Sequence, residues 1–330
     1  MPLVIDAQDL HKHYPLPLPR PRGQGLAAWL FPKPHRLEAV KGLSLRIEAG
    51  ERVAVIGPNG AGKSTTLKML TGILEPSSGT ALVHGLVPWH DRRALARRIG
   101  VVFGQRSQLW SELPVRDSFA LWRQLYDIDA AEFSARLGRL VERFALAPVL
   151  QQPAGRLSLG QRMRCELVAS LLHGPATLFL DEPTIGLDIT AKATLRDLIK
   201  AHARDEGQTV VLTSHDTRDV ELVCERVVVI NHGRIVIDQP VEQLRRQYIG
   251  RKLVTLQSVQ PTLSLALPGL KMRSTEPHRS VFEVDTRQVP VEQVIAEALK
   301  QGGIEDVTIE DPPMEEVIQE IYAGTHAAVA

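Results

Sequence analysis

The run Gly57-Pro58-Asn59-Gly60-Ala61-Gly62-Lys63-Ser64, followed by Thr65, has the residue types of a phosphate cradle. Its glycines let successive backbone N–H groups converge on a phosphate at a helix N-terminus, where the helix dipole also favours negative charge. Lys63 is a long cation able to reach the outer phosphates, and Ser64 offers a hydroxyl to Mg²⁺. About a hundred residues on, Leu178-Phe179-Leu180-Asp181-Glu182 is an apolar run that ends in two carboxylates. At a strand end beside such a loop, Asp181 lies near Mg²⁺, and Glu182 can accept a proton from attacking water. Just ahead stands Leu157-Ser158-Leu159-Gly160-Gln161, which opens a helix whose dipole can face a further phosphate. In that order the three segments point to phosphoryl transfer from a nucleoside triphosphate to water.

Such groups work only if rigid elements hold them. Val53-Ala54-Val55-Ile56 runs straight into the glycine loop, and Lys63–Thr71 reads as a helix, the strand–loop–helix setting that a phosphate site needs. Residues 3–10 and 43–57 read as strands, and the stretch from about 86 to 173 reads as helix after helix, with Ser118–Tyr126 and Ala130–Ala145 as examples. Buried-strand patterns return at Thr177–Asp181, Thr209–Ser214, Arg226–Asn231 and Arg234–Asp238, with a helix at Thr190–Arg204. A parallel αβ core with a helical insertion is the simplest architecture for that order. From about 240 the pattern changes to strands at Lys252–Gln257, Val281–Asp285 and Val307–Glu310, with helices at 290–300 and 314–322.

A chain of 330 residues has room for one large domain and a smaller one. A formal charge of +1 gives no overall field for nucleic acid, so none is expected as a partner. Cys165 and Cys224 lie in apolar stretches without metal or CxxC spacing and read as buried, reduced thiols of a cytosolic protein. No run approaches the ~20 apolar residues of a membrane span, and the N-terminus lacks the plan of a signal peptide.

With their order and spacing on view, the motifs resemble those of ATP-binding-cassette (ABC) transporter ATPase subunits over roughly residues 3–238. The resemblance implies an α/β P-loop NTPase fold with an ABC-type helical subdomain and β-subdomain, plus a small C-terminal α+β appendage. The nucleotide-binding domain would span 1–240, with a helical subdomain at about 86–173, and an accessory or regulatory domain would follow at 241–330. Leu157–Gln161 becomes the family's signature loop, its helix Arg162–Leu172 aimed at a γ-phosphate on an opposite subunit, with Ser158, Gly160 and Gln161 in contact. Gln105 fits the Q-loop, which meets Mg²⁺, water and the transmembrane partner. Asp188, in Ile185-Gly186-Leu187-Asp188, fits the D-loop; His215 fits the switch histidine; Tyr14 fits the aromatic that stacks on adenine. The implied cofactors are ATP and Mg²⁺, with Gly57 through Thr65 around the phosphates and Ser64, Gln105 and Asp181 around the metal. Catalysis falls to Glu182, His215, Lys63 and Gln105. One departure stands out: Leu159 occupies a place where the family usually has glycine, so position 159 must keep an ordinary backbone with its side chain turned away.

Arg106-Ser107-Gln108-Leu109-Trp110-Ser111-Glu112-Leu113-Pro114-Val115 and the Leu159 signature look most like cassettes of ABC-2-type exporters. That likeness implies a homodimer or cassette heterodimer working with separate transmembrane permease subunits, peripheral on the cytoplasmic face of the membrane. Trp110 would lie either in the groove for a permease helix or in the core. Residues 15–36 hold six prolines and four Lys or Arg but no acid, around Trp29, Leu30 and Phe31. They read either as a surface loop or as a contact to permease or anionic lipid. The alternative function is a non-transport cassette acting on ribosomes or DNA. A GTPase would need Asn-Lys-x-Asp, which is absent.

Overall fold

In the computed structural model, which describes residues 2–15, 36–104, 107–248, 251–261, 263–310 and 316, contacts divide the chain at Gln239. In the first unit, Val4, Ile5, Ala7 and Leu10 bury along β1 (Leu3–Pro15), which pairs antiparallel with β2 (Arg36–Glu48) and β4 (Ser78–Val83). The other strands of this unit are β3 (Arg52–Ile56), β5 (Ile99–Phe103), β6 (Thr177–Asp181), β7 (Thr209–Ser214), β8 (Arg226–Asn231) and β9 (Arg234–Pro240), in the spatial order β5-β6-β7-β3-β8-β9. Pairing from β5 through β8 is parallel. Strands buried on both faces need continuous apolar runs, and Val53, Val55, Phe179, Val211 and Val228 supply them in one core that also takes in Ile5 and Ile47.

The register sets the site. Ile56 lies beside Ser214, Thr213 beside Asp181, and Asp181 beside Phe103, so four strand ends finish level. In parallel sheets the crevice beyond such ends is where ligands sit. The helices are α1 (Lys63–Leu70), α2 (Arg92–Ala96), α3 (Val115–Leu125), α4 (Ala130–Arg143), α5 (Leu159–Leu171), α6 (Ile189–Glu206) and α7 (Thr217–Val223). Asp129 starts α4 by accepting from the N–H groups of Ala131 and Glu132.

The second unit begins with α8 (Val241–Tyr248) and continues through β10 (Arg251–Ser258), β11 (Leu270–Glu276), β12 (Arg279–Asp285), α9 (Val291–Gln301) and β13 (Ile304–Glu310). Its antiparallel sheet has the order β11-β12-β10-β13. Val294 and Ala298 of α9 pack with Val254, Leu256, Phe282 and Val284.

Several expectations need correction. The strand expected at 43–57 is two strands in different sheets, because Gly50, at φ 81°, turns the chain between them. The stretch 86–173 is not all helical: β5 lies inside it as a strand of the parallel sheet. The signature helix starts at Leu159 rather than Arg162. Strand β11 was not expected at all. Most of 15–36 and of the helix expected at 314–322 lies outside the described residues, as do Trp29, Leu30 and Phe31. Among the described residues no helix is long and apolar enough to cross a membrane.

Candidate active site

Strand β3 delivers the chain into the 57–62 loop, and α1 takes it out at Lys63. The backbone crowding explains two of the glycines. A Cβ on Gly57 would lie 2.3 Å from the Ile230 carbonyl oxygen, and one on Gly62, at φ 108°, would lie 2.6 Å from that of Ala39. Lys63 folds back over the loop, its Nζ donating to the carbonyls of Gly57 (2.7 Å) and Pro58 (3.3 Å), 3.7 Å from Glu182 Oε1. Burial holds its pKa below the usual lysine range, against the pull of Glu182 and Asp181. An arriving phosphate would strengthen that pull and stabilise the cation.

Asp181, at the end of β6, accepts from Ser64 Oγ (3.0 Å) and Thr213 Oγ1 (2.6 Å). The paired hydroxyl and carboxylate are hard oxygen donors of the kind Mg²⁺ prefers. The next residue leaves the strand sharply: Glu182 stands at φ 53°, a left-handed conformation that costs a non-glycine residue about 1 kcal/mol or more. Its N–H is fixed by the Thr213 carbonyl at 3.1 Å. His215 Nδ1 lies 3.0 Å from Glu182 Oε2. On the other side the Gly104 N–H donates to the Asp181 carbonyl at 2.9 Å, and a Cβ on Gly104 would come 2.4 Å from the Glu182 carbonyl oxygen.

These groups share a cavity of about 970 Å³, whose wall includes Tyr14, Asn59 through Thr65, Gly104, Asp181, Glu182 and His215. Tyr14 sits at the end of β1, with Lys12 Nζ 5.5 Å from its ring centre. Ser158, Gly160, Gln161 and Asp188 line a second hollow of about 470 Å³ together with Leu159, Gly186 and Leu187. There Ser158 and Gln161 are occupied with their own helix. Ser158 Oγ accepts from the Gln161 N–H (3.2 Å), and Gln161 Oε1 accepts from the Ser158 N–H (3.0 Å), a closed capping box. Asp188 Oδ1 likewise caps α6 through the Ala191 N–H at 2.8 Å. Leu159 lies in the first helical turn with an ordinary backbone. Its side chain covers Gly186: a Cβ there would meet Leu159 Cδ2 at 3.1 Å. Gln105 lies outside the described residues.

Sequence reasoning missed the support behind these groups. Asp219 is fully buried and accepts from Ser214 Oγ (2.5 Å), Thr184 Oγ1 (2.6 Å) and Arg196 Nε (2.5 Å). Arg196 also pairs with Asp216 at 2.8 Å, as does Lys192 at 2.9 Å. Burial alone would raise the Asp216 carboxyl, but the hydrogen bond from Lys192 and the Arg196 charge hold it below the carboxylate range. One signal was readable: two hydroxyl residues, Thr213 and Ser214, follow the apolar run Val210-Val211-Leu212 just before His215.

Comparison with known proteins now decides the family. The ABC transporter profile matches residues 40–185. The daunorubicin resistance ATP-binding protein DrrA3 of Streptomyces coeruleorubidus is 32% identical over 285 residues, covering 85% of this chain and 90% of its own. The chain belongs to the ABC transporter family. The ABC transporter ATP-binding protein NatA of Bacillus subtilis (strain 168) is 33% identical over 208 residues, 63% of this cassette and 84% of NatA. A solved ATP-binding subunit of an ABC transporter superposes with TM-score 0.60 at 25% identity, over 74% of this chain and 93% of that one. The cassette binds and hydrolyses ATP, on a P-loop fold of the ABC type.

Proposed function

We propose that this cassette hydrolyses ATP between two cassettes and drives an ABC-2-type exporter through separate permease subunits. The observation that carries the reading is the split of its site residues. The phosphate loop, Asp181, Glu182 and His215 share one cavity, whereas Ser158, Gly160 and Asp188 line another, and among the described residues none lines both. A second cassette, another copy or a different chain, completes the first cavity with its own signature helix. The capping box engages the N–H groups of Ser158 and Gln161, which leaves those of Leu159 and Gly160 to meet the γ-phosphate at the helix N-terminus.

In this reading Lys63 and the loop N–H groups hold the β- and γ-phosphates, and Tyr14 stacks on adenine. Ser64 and Asp181, with Gln105, hold Mg²⁺, which supplies charge neutralisation on the phosphates when bound. Glu182 accepts the proton of the attacking water, and His215, 3.0 Å away, fixes that carboxylate. Neutralising Glu182 therefore traps the ATP-bound pair. Glu182→Gln should lose about 100-fold or more of hydrolysis and elute as a dimer with ATP and Mg²⁺ by size-exclusion chromatography with light scattering. A monomer that still hydrolyses ATP at the parental rate sinks the assignment.

The relative named for daunorubicin resistance supports export. Trp110, 44% exposed and edge-on to Trp122 at 6.3 Å, offers an aromatic surface to a permease helix. In this arrangement the cassette sits on the cytoplasmic face of the membrane through its permeases, and the second unit is an accessory domain. Purification from gently solubilised membranes should bring polytopic subunits with it; ribosomes instead would overturn the transport reading.

A further inference from the structure

Glu166 lies in the middle of α5, where a surface helix would not place a lone carboxylate: it is 3% exposed. It accepts from Ser107 Oγ and from the Gln108 N–H, at 3.1 Å to Oε1 and 2.9 Å to Oε2. Burial pushes its pKa up, while these donors favour the ionised form. Both donors belong to the segment that leaves the nucleotide cavity. Phe103 and Gly104 line that cavity, with Gly104 against the Glu182 backbone, and Ser107 comes three residues later. Gln108 is tied back to β5 as well, its Nε2 donating to the Val101 carbonyl at 2.5 Å. At the other end, four residues of α5 separate Glu166 from Gln161 and the signature turn.

The wall of one chain's phosphate cavity and the signature turn that the same chain offers to its partner are thus joined by one buried carboxylate. We propose that Glu166 is a positioning residue that couples the two ATP sites of the cassette pair. When the γ-phosphate in one site shifts the cavity wall at Gly104 and with it Ser107 and Gln108, Glu166 carries that shift into α5, and so into the signature turn serving the other site. The proposal rests on the paired-cassette reading above. Contiguity alone does not establish coupling, so the readout must be cooperativity itself.

Steady-state ATP hydrolysis by the purified full chain, titrated with MgATP, supplies it. The parent should show a Hill coefficient of about 2, the limit for two coupled sites. Glu166→Ala should fall toward about 1 with about tenfold lower kcat, the loss of one charge-assisted buried hydrogen-bond set, while a fluorescent ATP analogue binds the dilute monomer within about twofold of parental affinity. Glu166→Gln should recover cooperativity, since its amide oxygen can still accept from Gln108 and its NH₂ can donate to Ser107 Oγ. Ser107 is exposed, so Ser107→Ala tests the same link without risk to the core and should give an intermediate Hill coefficient. A parental Hill coefficient in Glu166→Ala overturns the coupling, and so does weakened analogue binding that accounts for the whole defect. If Glu182→Gln stays single with MgATP, the paired reading itself has failed, and the coupling falls with it.

Discussion

Leu159 shows how a side chain can replace backbone freedom. Where a glycine would leave the signature turn loose, leucine enters the first turn of α5 at ordinary φ and lies over the bare backbone of Gly186, itself at φ 73°. The 158–161 and 186–188 segments of one chain thereby brace each other. Leu159→Gly removes that packing and adds the entropy cost of glycine in a helix, together about 1–2 kcal/mol. Urea denaturation should show this loss, and ATP turnover should fall rather than rise. More than ~100-fold faster turnover, about 2.7 kcal/mol in barrier, would instead mean that leucine impairs the native loop. The two thiols give a second residue-scale test. Burial pushes Cys165 up to about 12 and Cys224 up as well, so neither holds a thiolate near neutral pH. Both should stay unlabelled by a thiol reagent in the native protein and react on unfolding; fast native labelling would contradict their burial.

At the scale of elements, the buried Asp219–Arg196 pair fastens α6 and α7 beneath the 182–188 segment and the His215 turn. Breaking it leaves the buried Arg196 guanidinium with Asp216 alone and takes the acceptor from the Ser214 and Thr184 hydroxyls. Asp219→Ala should therefore cost about 3–5 kcal/mol, read by chemical denaturation, and should lower hydrolysis while the phosphate loop stays intact. A loss below 1 kcal/mol would show that water replaces the carboxylate, and that Asp219 does not hold the site. This pair was invisible in the sequence because its members are separated by 23 residues, and nothing local marks an ion pair across two helices. The core was legible for the opposite reason. Thr177–Asp181, Thr209–Ser214 and Arg226–Asn231 are buried on both faces, so their apolar runs end where the strands end. Strand β5 escaped notice because Ile99-Gly100-Val101-Val102-Phe103 is short, contains glycine and lies among helices. The chemistry was readable as a set of residues, but their division between two hollows came only from the fold, since Ile185 lines one and Gly186 the other.

For the whole molecule, the folded cassette keeps several histidines neutral, and acid must work against that. His173 stacks on Tyr126 with ring centres 4.1 Å apart, and its Nε2 lies 2.9 Å from the Ile99 carbonyl, which assigns the proton to that nitrogen. Nδ1 is buried without a partner, so a second proton would have nowhere to donate. Burial lowers its pKa from 6.5 to about 4, and burial likewise lowers His84 and His202. The unfolded chain then binds more protons than the native one between those two pH values, so stability rises with pH through that window. Read downward, the contribution of His173 is complete above pH 6.5 and is lost as pH falls toward about 4, where the penalty levels off. From pH 7.5 to 5 the unfolding free energy should drop by about 2 kcal/mol on account of His173, with further loss from His84 and His202. Guanidinium denaturation at the two pH values measures the total. His173→Gln, which keeps an N–H for the Ile99 carbonyl but cannot titrate, should reduce the difference by that share. An unchanged pH dependence in this variant would show that His173 is already charged in the fold, or that its neighbours relax to accept the proton.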